Sequence, residues 1–148
     1  MKMNRTICAC DECKACCKRQ PGPLAPGDFE RIAKYLGQTP EEAKMLFKAS
    51  DGCVVQLRKT GELLRIGTIT PKQKPNGRCV FLDQNDHCLI HPVAPFGCAY
   101  FDVHMAKPEA DRRSVFLAGQ QATSRQYQEL RKSIAGDKND LQDNKSSV

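Results

Sequence analysis

Residues 8–17 read CACDECKACC, five of the nine cysteines of a 148-residue chain within ten positions. Cys10, Cys13, Cys16 and Cys17 follow C-x-x-C-x-x-C-C, and two-residue gaps let a loop curl so that successive sulfurs face inward. Thiolates bind borderline and soft metals well, and such a run resembles the opening of a bacterial ferredoxin loop. The adjacent pair Cys16 and Cys17 diverges from any one small ion. It implies either two metal sites sharing the loop or one ligand beside a spare thiol.

A second region, CVFLDQNDHCLIHPVAPFGCAYF, spaces Cys79, Cys88 and Cys98 by nine and ten residues, with His87 and His91 beside the middle cysteine. A tetrahedral ion draws ligands readily from two separated loops, because neither loop then has to make an impossible turn. Cys8 is either a further ligand or a bystander, since C-x-C is a tighter spacing than C-x-x-C. Cys53 begins an apolar run and reads as a packed thiol. His91 can complete a cysteine-rich site, but reads better as a surface imidazole or as support for a ligand. His87 neighbours a ligand candidate and should point away, and His104 reads as a surface residue.

Asp83, Asp86 and Asp102 lie near the second region, where carboxylates in polar loops most often form turns. No phosphate-cradling glycine loop, hydrolase elbow or dinucleotide fingerprint occurs. No complete catalytic constellation is legible. A thiol oxidoreductase would instead cycle a pair such as Cys16 and Cys17 while metal stays bound.

The elements that must position these cysteines are short. KRQPGPLAPG is a connector, after which Asp28 is expected to cap a helix from Phe29 to Leu36 that stops at Gly37. Thr39, Pro40 and Glu42 form a capping-box pattern for a helix from about Pro40 to Ala49. CVVQLRK and ELLRIGTI, separated by TG, predict a hairpin, and TPKQKPNG is a loop that delivers the chain to the second cysteine region. Phe116, Thr123, Tyr127, Leu130 and Ile134 recur at the spacing of one helix face, with Pro108, Glu109 and Asp111 suited to its first turn. From Gly136 the chain is polar and reads as a disordered tail.

These motifs together resemble the zinc- or iron-chelating cysteine-cluster family often called YkgJ-like. The resemblance rests on the C-x-x-C-x-x-C-C run, the GDFERIAKYLG helix, CVFL, HCLIH and APFGCAYF, and runs from about Cys8 to Phe101. It implies metal chelation by Cys10, Cys13, Cys16, Cys17, Cys79, Cys88 and Cys98, and it implies no known reaction. The chain departs from the family pattern at Lys14, where glycine is common, and at Ala94 and Ala99, where arginines often stand.

Composition bounds the rest. A chain of this length buries ~70% of its unfolded surface, but it has no Trp and only 6% aromatic residues, so a metal would add to a modest core. The N-terminus reaches Cys8 before any apolar stretch of signal-peptide length, and no run approaches a membrane span. The odd cysteine count argues against a paired extracellular framework, which makes the cytoplasm the expected compartment. Most of the net charge of +6 falls between Gly52 and Arg78, on Arg58, Lys59, Arg65, Lys72, Lys74 and Arg78. Without interleaved aromatics this reads as a solvated basic hairpin rather than a nucleic-acid surface.

The expectation is a small single α+β domain, residues 1–135, with a tail at 136–148. Short helices and a β-hairpin would support two cysteine-rich loops joined around metal. The function expected is an iron–sulfur electron-transfer or redox-sensing module with an unknown protein or redox partner. The alternative is a zinc-stabilised interaction domain, with nucleic acid a less favoured partner and no membrane contact.

Overall fold

The computed structural model describes residues 21–50, 54–56, 59–101 and 104–146. Cys8, Cys10, Cys13, Cys16, Cys17, Cys53, Arg58 and Asp102 lie outside the described residues. Among those described, five α-helices, one 3₁₀ turn and two two-stranded antiparallel sheets make the α+β chain expected. No described helix is long and apolar enough to cross a membrane.

Helix α1 (Asp28–Leu36) presents Phe29, Ile32 and Ala33 to the core. Its stop is the predicted one: Gly37 takes the left-handed conformation, φ 67°, which glycine adopts without a Cβ penalty. Its start differs. The residue before the first turn is Gly27, φ 92°, and Asp28 is already helical, with its carboxylate accepting no backbone N–H of its own helix.

Helix α2 (Pro40–Lys44) carries the predicted capping box in both directions. The Glu42 N–H donates to Thr39 Oγ1 at 3.2 Å, and the Thr39 N–H donates to Glu42 Oε1 at 3.0 Å. These bonds hold the Glu42 carboxyl below its ordinary range. The helix ends well before Ala49, because β1 (Phe47–Ser50) begins three residues later and pairs with β4 (Thr68–Pro71) in the register Phe47↔Pro71 to Ser50↔Thr68. Phe47 is fully buried, between Phe29 and Phe81 at ring separations of 5.5 and 5.7 Å. Long-range burial and ladder hydrogen bonds override the local helix preference of this stretch.

The predicted hairpin is present as β2 (Val54–Gln56) against β3 (Leu63–Arg65), with Gly61 at φ 73° in the connection. The ELLRIGTI run is divided between β3 and β4, and every residue of β4 is buried.

The last predicted helix face is two helices, α4 (Lys107–Thr123) and α5 (Arg125–Ser146), with α3 (Phe96–Ala99) preceding them. Ser124 is extended, φ −93° and ψ 105°, and its Oγ accepts the Tyr127 N–H, so it starts α5. Thr123, placed by periodicity on the apolar face, is exposed and donates to the Gly119 carbonyl instead. The α5 backbone continues past Gly136, through the segment whose composition predicts a tail.

The break lets Gln121 and Tyr127 meet at one buried point. The Tyr127 hydroxyl donates to the Leu24 carbonyl at 2.7 Å and accepts the Ile69 N–H at 2.9 Å. Gln121 Nε2 donates to Thr68 Oγ1 and to the same Leu24 carbonyl. Thr68 Oγ1 therefore has its hydrogen left for Tyr127, 3.0 Å away, and each of these groups is satisfied by one proton assignment. Burial pushes the Tyr127 hydroxyl pKa above its ordinary value. The node fastens the connector at Leu24 to β4, whose Ile69 carbonyl also accepts the Leu24 N–H. Arg131 closes the far end of the sheet by donating to the carbonyls of Ser50 and Thr68.

Candidate metal centre

Cys79 and Cys88 each end a short turn-closed loop. The first loop is a turn in which the Gly77 N–H donates to the Lys74 carbonyl and Gly77 has φ 90°, and it brings Gln73 opposite Cys79. In the second, Leu82 lies opposite Cys88, and Asp83 Oδ1 accepts the N–H groups of Asn85 and His87 at 2.8 and 2.9 Å. Those bonds lower the Asp83 pKa, the His87 N–H most of all. Arg78 ties the loops together by donating to the Asp83 carbonyl and the Asp86 carboxylate. Asp83 and Asp86 are thus turn-forming groups, with Asp86 itself at φ 63°.

The two thiols differ in setting. Cys79 is buried in the main core with Phe81 and Leu82, whereas Cys88 is half-buried against its edge. His91 follows in the 3₁₀ turn His91–Val93, with its N–H on the Cys88 carbonyl and its side chain exposed. His87 is 71% exposed with Nδ1 3.9 Å from Asp83 Oδ2, consistent with the expectation that it points away. His104 is exposed.

Cys98 sits on α3, whose first turn is held by the connector after the first cysteine region and by Asp28 at the start of α1. The Phe96 N–H donates to Asp28 Oδ2, and the Gly97 N–H donates to the Pro23 carbonyl, both at 2.8 Å. The Gly22 N–H points at Cys98 Sγ, 3.3 Å away. An amide directed at a sulfur favours thiolate, the form that binds metal. Phe96 anchors the helix from its other side, stacked on Tyr100 at 4.7 Å and packed against Phe101 and Phe116.

This docking holds the connector at Gly22 against α3. Gly22 is five residues after Cys17, and five extended residues reach at most about 18 Å. Both glycines are needed for the contact, because there is no room for a Cβ on either one.

Among the described residues, no three His, Cys, Asp or Glu side chains converge as a metal site, and Cys79, Cys88 and Cys98 form no disulfide. Beside the docked connector lies a cavity of about 340 Å³ bounded by Pro23, Gly97, Phe101 and Gln121. Its described lining carries no charged group.

Searches of curated proteins and of solved structures return no match. A family model does match, over residues 9–129, and covers every cysteine of the two regions except Cys8, with the elements between them. The chain belongs to the CxxCxxCC family, described as a "Putative zinc- or iron-chelating domain".

Proposed function

We propose that the protein chelates metal through Cys10, Cys13, Cys16 and Cys17 of the first region together with Cys79, Cys88 and Cys98 of the second, with Cys8 as a further candidate. The observation that supports this reading is the Gly22 N–H aimed at Cys98 Sγ, a contact between the connector after the first region and a thiol of the second. The donors are soft, several are held on turn-closed loops, and an amide supports one of the sulfurs. They fit iron or zinc, the two metals of the family description.

Between the two, the C-x-x-C-x-x-C spacing and the amide-to-sulfur bond favour an iron–sulfur cluster, which would supply one-electron transfer or redox sensing. The burial of Cys79 inside the core supports the second reading, a structural zinc whose binding is coupled to folding. Nucleic-acid binding by the basic segment is disfavoured: Arg78 is engaged with Asp86, and Lys74 donates to the Leu82 carbonyl. We place the protein in the cytoplasm, where thiols stay reduced, and take residues 1–135 as the unit that holds the metal and 136–148 as an appendage.

Anaerobic purification followed by an absorption spectrum and analysis of metal and acid-labile sulfide on one sample tests the reading. Visible charge-transfer bands with iron and sulfide support the cluster. A colourless protein with zinc and no sulfide supports the structural site, and a protein that takes up neither metal overturns both.

A further inference from the structure

Asp28 is buried, at 4% exposure, in a protein whose other buried polar side chains are neutral among the described residues. One of its oxygens, Oδ2, accepts two backbone N–H groups at 2.8 Å. One comes from Ala25 in the connector, three residues back, and one from Phe96 at the start of the Cys98 helix, 68 residues ahead. The other oxygen, Oδ1, takes the Arg31 guanidinium. A buried carboxylate is tolerable only when its lone pairs are matched in this way. No helix-capping role explains the arrangement, because neither backbone donor belongs to its own helix.

Around this carboxylate the connector and α3 are joined by three further contacts. The Gly97 N–H donates to the Pro23 carbonyl, the Gly22 N–H donates to Cys98 Sγ, and the Gly22 and Gly97 backbones touch. We infer that Asp28 is a positioning residue for the metal centre: it latches the connector, which follows the first cysteine region in sequence, onto the Cys98 helix. The inference rests on the metal-chelating reading above and adds a residue that itself touches no metal.

The charge and the hydrogen bonds make separable contributions. In Asp28→Asn the amide oxygen can occupy the Oδ2 position and accept both N–H groups, with only the Arg31 pair lost. In Asp28→Ala both N–H groups lose their acceptor. Arg31→Ala removes the ion pair alone.

The experiment has two readouts on the full chain. Hydrogen exchange on the metal-free protein reports the latch: Asp28→Ala should lose protection at Ala25, Phe96 and Gly97, while Ala43 in α2 keeps it. Release of bound metal to excess chelator, at a temperature where circular dichroism shows every variant folded, reports the consequence. Asp28→Ala should release metal at least tenfold faster than the parent chain, with Asp28→Asn and Arg31→Ala within about threefold.

The double variant Asp28→Ala/Cys98→Ser should release metal no faster than Cys98→Ser alone, since both lesions act through one ligand. Unchanged exchange at Phe96 and Gly97 in Asp28→Ala would overturn the latch. So would unchanged metal release in that variant, or strictly additive effects with Cys98→Ser. A parent chain that binds no metal would show instead that the chelation reading itself fails, and the positioning role with it.

Discussion

A Cβ placed on Gly22 would stand 2.3 Å from the carbonyl carbon of Gly97, and one placed on Gly97 would stand 2.2 Å from Pro23 Cδ. Neither obstacle is a flexible side-chain tip, so Gly22→Ala or Gly97→Ala must push the connector off α3. Each should cost about 1–3 kcal/mol, as overpacking does, and each should speed metal release. Gly119 is the control, helical and with open space around it; Gly119→Ala should stabilise by about 0.5–1 kcal/mol. Urea denaturation of the metal-free variants separates the two outcomes.

Tyr127→Phe should cost about 1–3 kcal/mol, chiefly because the buried Ile69 N–H loses its acceptor, while the Leu24 carbonyl keeps Gln121. The pH dependence has a definite sign. Burial raises the folded-state pKa of Tyr127 above the unfolded value of 10.0, so its contribution is whole below about pH 10 and is lost as pH climbs toward the folded value. The difference in unfolding free energy between Tyr127→Phe and the parent chain should shrink over that alkaline window.

Asp83→Ala removes the acceptor of two backbone N–H groups in the loop between Cys79 and Cys88. Faster amide exchange at Asn85 and His87 is expected, with weaker metal retention, and Asp83→Asn should restore both because its carbonyl oxygen can accept the same bonds. Since the folded-state pKa is depressed below 3.8, the parent loop should keep this support above about pH 4 and lose it as the pH falls through the folded value. The Asn variant should show no such acid step, which exchange measured against pH would reveal.

Phe47→Ala should be the most damaging of these changes, at about 3–5 kcal/mol for a fully buried aromatic ring. Phe47 joins Phe29 of α1 to Phe81 of the second cysteine region, so thermal unfolding should fall in one cooperative step. Cys79 and Cys88 should become more reactive to alkylating reagents in the same variant, as the core that packs them loosens.

What the sequence made legible was local. The Thr39 capping box and the Gly37 stop each need only residues within four positions, and both are present as expected. Phe47 was assigned to a helix because its neighbours favour one, whereas its conformation is decided by β4 and by two distant rings. Asp28 shows the same limit. A local rule made it a helix cap, but a partner 68 residues away sets its role. The cysteines stood out by spacing, which records the demands of a ligand set directly. The glycines that let their segments meet did not, because close approach is a property of two strands of chain at once. The Ser124 break had a signal in the Thr-Ser pair, which the helical periodicity on either side obscured.

The contact between Gly22 and Cys98 spans 76 residues of sequence, and this gives the molecule an order of assembly. The turn-closed loops ending in Cys79 and Cys88 close short circuits and form quickly, whereas docking the connector on α3 carries the entropy of closing about half the chain. Folding thus finishes the two loops that end in Cys79 and Cys88 before the connector at Gly22 is joined to the Cys98 helix.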